Sequence, residues 1–156
     1  MGLYNLYIRL RERIMRIGKA RGFGIQSPWA FSFVTEVIGE RWPYYGYEDI
    51  ERVYTNSKEQ EFQKLILRVR NFVYPGNLIV KDYMDDITDD ALKLIAKDCG
   101  AKGALVIRGL YDTPDSLARW HEIQHHDNVG ITFDLFDFGI CFFDRDIIKQ
   151  HYKLNF

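Results

Sequence analysis

The sequence predicts an α/β fold: a small, mostly parallel sheet with an antiparallel C-terminal strand, flanked by helices and preceded by an N-terminal helical extension. Three observations predict it. Two short apolar runs, Leu78-Ile79-Val80 and Ala104-Leu105-Val106-Ile107, have the length of buried strands. A helical segment lies between them, and strand–helix–strand with short connections is the order of a parallel, helix-covered sheet. The chain then alternates at Ile131, Phe133 and Leu135 and, after Gly139, continues apolar from Ile140 to Phe143, which reads as an antiparallel strand pair.

The remaining elements follow in order. Leu3, Leu6, Leu10, Ile14 and Ile17 recur at three- and four-residue spacing, one apolar helical stripe over residues 3–18. The ordinary expectation is that this stripe docks the helix on the domain. A glycine-containing elbow is expected at 18–26. Ser27-Pro28 then starts a helix over 28–38, the hydroxyl capping free amides and proline fitting the first position. Trp42-Pro43-Tyr44-Tyr45-Gly46-Tyr47 is an aromatic loop whose rings are expected to fold back as a lid on the core. Residues 48–54 predict a short helix. Ser57-Lys58-Glu59-Gln60 reads as a capping box, opening a helix that stops before Pro75-Gly76. Thr88-Asp89-Asp90 caps a helix that ends at Gly100, and Thr113-Pro114-Asp115-Ser116 starts one lasting to about His125.

With 156 residues the chain is one domain by size, and 47% hydrophobic content is ample for a core. Residues 1–56 read as the helical extension and 57–156 as the α/β core. A net charge of −1 excludes a general polyanion binder. The charge is uneven, however: Arg9, Arg11, Arg13, Arg16, Lys19 and Arg21 stand against Glu12 alone near the N-terminus. That basic helix has two further readings, an anionic membrane surface and nucleic-acid phosphates. Cys99 and Cys141 are too few for a disulfide framework or a zinc cluster. Arginines interrupt every early apolar run, so no signal peptide is read and a cytoplasmic location is expected.

Two segments carry a resemblance. Arg21-Gly22-Phe23-Gly24-Ile25-Gln26-Ser27-Pro28-Trp29 and the closing Lys149-Gln150-His151-Tyr152 resemble the Gly-x-Gly-Ile-His-Ser-Pro-Phe segment and the C-terminal Lys-Gln-His strand pair of a bacterial class I SAM-dependent methyltransferase-like family. The resemblance covers roughly the first and last thirds of the chain. It implies a Rossmann-like, methyltransferase-like sheet. Here that sheet is internally shortened, with βα units expected to be missing between about residues 84 and 104. The family's histidine before Ser-Pro is Gln26 here, which can only hydrogen-bond.

The middle of the chain departs from what that chemistry needs. A SAM site takes a glycine-rich loop after the first strand, where backbone approaches the methionine part of the cofactor. Here Val80-Lys81-Asp82 continues Tyr83-Met84-Asp85-Asp86 without a glycine. An acid is also needed after the next strand to hold the ribose, and Arg108 stands there. The expectation is a degenerate, non-catalytic relative without a cofactor, acting as a binding or interaction module. Its partner would be an unknown protein or a second copy; no nucleic acid and no membrane are expected. The alternative is an active SAM-dependent methyltransferase with an atypical loop. It places the cofactor near Asp82, Tyr83 and Arg108, with Tyr111, in a concave pocket at the strand ends.

Other motifs read as structure. His121-Glu122-Ile123-Gln124-His125 matches the zinc-hydrolase pattern, two histidines one helical turn apart with a glutamate base. Arg119 and Asp127 stand where such enzymes hold uncharged residues, and no third ligand follows. The ordinary reading is a solvated helix end, so no metal is expected. Asp137-Phe138-Gly139 reads as a turn. Gly18-Lys19-Ala20-Arg21-Gly22 lacks the spacing of a phosphate-binding loop.

Overall fold

The computed structural model describes residues 3–17 and 24–156, with backbone alone for residues 3–5. Most of the expected elbow, Arg21-Gly22-Phe23 included, lies outside the described residues. In chain order the helices are α1 (Leu3–Met15), α2 (Pro28–Phe33), α3 (Tyr47–Val53), α4 (Ser57–Val73), α5 (Asp89–Cys99) and α6 (Pro114–His125). The strands are β1 (Leu78–Lys81), β2 (Ala104–Arg108), β3 (Ile131–Asp134), β4 (Phe138–Phe142) and β5 (Gln150–Lys153). They divide into two compact units: Met1–Ala20 with Val73–Phe156, and Arg21–Phe72.

The first unit holds a five-stranded mixed sheet in the order β1-β2-β4-β3-β5. β1 is parallel to β2 and β3 to β5, while β4 runs antiparallel to both its neighbours. The register puts Lys81, Arg108, Asp134 and Lys153 at one end of the sheet, together with the first residue of β4, Phe138. This is the carboxyl edge. β1 and β2 are neighbours joined through α5, so residues 78–108 form one complete strand–helix–strand unit.

Local sequence sets these elements as expected. Thr88 Oγ1 accepts from Ala91 N and Thr113 Oγ1 from Ser116 N, capping α5 and α6. β3 and β4 are buried along their whole length, and β2 is buried up to Arg108 at its end. β1 is not the buried strand that its apolar run predicts. It is an edge strand, and Val80 is 38% exposed. Asp137-Phe138-Gly139 is not a turn either: Phe138 and Gly139 already pair with Arg108 and Ile107. Gly139 is needed there for space, because a Cβ would lie 2.5 Å from the fully buried Trp120 ring. Cys99 and Cys141 are free and buried. Burial, aided by Asp98, pushes the Cys99 thiol up to about 11, and burial raises Cys141 as well, so neither is a reactive thiolate at neutral pH.

α1 docks the other way round from its periodicity. Its leucine stripe is open: Leu6 and Leu10 are each 58% exposed. Arg16 instead is buried, and Ile8, off the stripe, packs against the core. Charge satisfaction decides this orientation, since Arg16 reaches the buried Asp134 carboxylate only when turned inward.

In the second unit, Ser27 Oγ accepts from Ala30 N and Pro28 opens α2. The helix continues to Ile38 with a wider, π-type turn, Gly39 N donating to Val34 O at 2.8 Å. Trp29, Phe33 and Phe72 form a ring cluster with centroids 5.1–5.9 Å apart. α4 is capped by Asn56, whose Oδ1 accepts from Lys58 N and Glu59 N, and not by the expected box on Ser57. The aromatic loop does not close as a lid, since the rings of Trp42 and Tyr45 face solvent. Tyr47 turns inward and its hydroxyl accepts from Arg68.

Candidate functional site

The densest polar constellation among the described residues lies at the carboxyl edge, over β3, β4 and β5. α1 supplies Arg9, Glu12 and Arg16 at helical spacing. The loop after β2 supplies Tyr111 and Asp112. Asp134 ends β3, Phe136 and Asp137 form the turn into β4, and Lys153 ends β5.

Arg16 is the hub. Its Nη1 donates to the carbonyls of Asp134 at 2.9 Å and Leu154 at 3.0 Å. Its Nη2 donates to Asp134 Oδ1 at 2.8 Å and to the Tyr111 hydroxyl at 2.9 Å. Nε is buried without an acceptor. Asp134 is fully buried, and its carboxylate also accepts from the Phe136 amide at 3.0 Å and the Tyr111 hydroxyl at 2.6 Å. A buried charge persists only when paired and hydrogen-bonded, and this pair is both. Burial, with the adjoining Asp134 carboxylate, raises the Tyr111 phenol far above its ordinary range, so it stays a donor.

The turn beneath is strained. Phe136 has φ 78, and the Asp137 amide bonds the Leu135 carbonyl across it. That conformation aims the Phe136 ring at α1. It stacks on Tyr111 at 5.2 Å and lies within 5.0–5.5 Å of the guanidinium carbons of Arg9, Arg13 and Arg16. Arg9 also donates to Asp112 and Asp137 at 3.1 and 3.0 Å. Glu12 pairs with Lys153 at 3.2 Å. Burial opposes its ionisation, yet Lys153 and Arg16 together hold its carboxyl below the usual range. Nearly every polar atom of this cluster is engaged, so the arrangement holds α1 and leaves no free acid–base or nucleophilic group.

The sequence-predicted residues lie at the other half of the same edge. Asp82 and Arg108 meet at 3.6 Å, with side chains 66% and 35% exposed. Tyr83 is 71% exposed. Met84 turns into the core as a short helical turn opens after β1, leaving Asp85 and Asp86 exposed. Tyr111 is drawn away into the Arg16 cluster. On α6, Glu122 bonds Arg119 at 2.8 Å and His125 Nδ1 lies 2.7 Å from the His121 carbonyl. Among the described residues no group of three or more His, Cys, Asp or Glu is placed to hold a metal ion. At the opposite end of the sheet a shallow depression of about 280 Å³ is lined by Lys93, Lys97, Asn128 and Arg145 among others. Arg145 is tied to Asn128 and Lys93 to Asp90.

Sequence reasoning passed over the pairing of Arg16 with Asp134 and placed Tyr111 with the strand-end residues instead of with that pair. Two signals were available. Asp134 is an acid in an otherwise apolar strand, which demands a partner. Arg9, Glu12 and Arg16 form a second face of α1, spaced three and four apart. No family model, no curated protein and no solved structure matches the chain. Among the described residues no helix is long and apolar enough to cross a membrane.

Proposed function

We propose that this chain is a degenerate SAM-dependent methyltransferase-like protein that works as a non-catalytic interaction module. The observation that carries the reading is the closed carboxyl edge. In open α/β sheets ligands bind outside the carboxyl ends of the strands, and here Arg16 of α1 is bonded to that edge at β3 and β5. The other half supports the same reading. No glycine follows β1, Met84 turns from the strand end into the core, and exposed Asp85 and Asp86 would repel a carboxylate. Arg108 offers donors, where a ribose needs an acceptor. The sheet fits a shortened member of the resembled class.

Calorimetric titration with SAM and S-adenosylhomocysteine tests it. The module reading expects no heat of binding at millimolar ligand. Micromolar binding overturns it in favour of an active methyltransferase with an atypical loop, using Asp82, Tyr83 and Arg108.

A further inference from the structure

α1 has two faces of opposite use. At about 100° per residue, Ile8, Glu12, Arg16 and Arg9 fall on the side held against the sheet. Leu6, Leu10, Ile14 and Ile17 fall on the other, with Tyr7 beside them and Met15 beyond Arg11. All six are 57–76% exposed. Contiguous apolar surface of this kind marks an interaction site. Arg13 borders the apolar arc on one side and Arg11 on the other, both exposed. The acid of this helix, Glu12, is turned inward to Lys153 and Arg16. The open face is thus apolar with cationic margins.

We propose that this face of α1 lies on an anionic lipid surface, making the protein a peripheral membrane binder. Charge selects the occupant. A second copy laid face to face would set Arg11 and Arg13 against their own kind, with no exposed acid on α1 to offset them. A neutral bilayer would receive the apolar arc and leave the arginines without counter-ions. Anionic headgroups bordering an apolar interior match both parts of the face. Interfacial helices ordinarily give their polar face to water. Here the polar face is fastened to the sheet through Arg16 and Arg9, so the apolar face is held outward. The inference does not depend on whether SAM binds.

The test is flotation of the full chain with two kinds of vesicle, phosphatidylcholine alone and phosphatidylcholine mixed with phosphatidylserine. The expected result is co-flotation with the phosphatidylserine vesicles only, weakening as salt is raised. Arg11→Gln lowers vesicle affinity about fivefold. The double variant Leu10→Glu/Ile14→Glu abolishes flotation while keeping the wild-type melting curve, because both side chains already face solvent. Equal flotation on both vesicles, or flotation unchanged in the double variant, overturns the proposal. So does absence of flotation. If light scattering then shows a dimer that the double variant dissociates, the face belongs to a second copy. If it shows a monomer, an acidic protein groove takes its place.

Discussion

The carboxyl edge of the sheet sets the same two residue types in opposite circumstances. Over β3, Arg16 and Asp134 meet at 2.8 Å with side chains 2% and 0% exposed. Over β1 and β2, Arg108 and Asp82 meet at 3.6 Å in the open. The first pair is a fixture: each charge has lost its water, so each depends on the other. The second is a longer, half-exposed pair that the exposed Asp82 can leave at little cost. One half of the edge is therefore scaffold, and the other is the half still open to solvent.

The largest expected effect breaks the closed half. Arg16→Ala leaves the Asp134 carboxylate buried without its cation and costs about 3–5 kcal/mol, read as a drop in the urea midpoint. A midpoint within error of wild type would show that α1 does not hold the edge. The next effect follows from Glu12. Its folded value lies below the ordinary 4.5, so its contribution to stability is complete above that value. The contribution is lost as pH falls through the lowered folded value. Urea melts across this acid range should show the loss in wild type and a flatter profile in Glu12→Gln; identical profiles would remove Glu12 from the account. The smallest effect sharpens the contrast. Asp82→Ala should change stability by no more than about 0.5 kcal/mol, and a larger loss would mean that the open half is also structural.

What the sequence made legible was local. Thr88 and Thr113 announced their helices because capping chemistry is decided within a few residues. The apolar runs at 104–107 and 140–143 announced strands because nothing else of that length is so apolar. What it hid was relational. The stripe from Leu6 to Ile17 showed which side chains share a face, but periodicity does not say which face turns inward. That was decided by Asp134 and by the Leu154 carbonyl, far along the chain. The insertion of β4 between β2 and β3 was hidden for the same reason. A hairpin pattern fixes its own two strands and not the neighbour they join. At Asn56 the failure was smaller: two adjacent residues both suit a cap, and the one with the reach to bond two amides took the position.

The bond from Arg16 to Asp134 spans 118 residues, and that to the Leu154 carbonyl spans 138. During synthesis α1 leaves the ribosome before the strands that seat it, and its seat does not exist until β3 and β5 have followed. For most of translation the helix carries an unpaired arginine on one side and a bare apolar stripe on the other. Contacts this distant in sequence raise the contact order and so slow folding. A chain terminated before residue 150 would keep the bond to Asp134 and lose the Leu154 carbonyl and Lys153, leaving α1 held by half of its clasp.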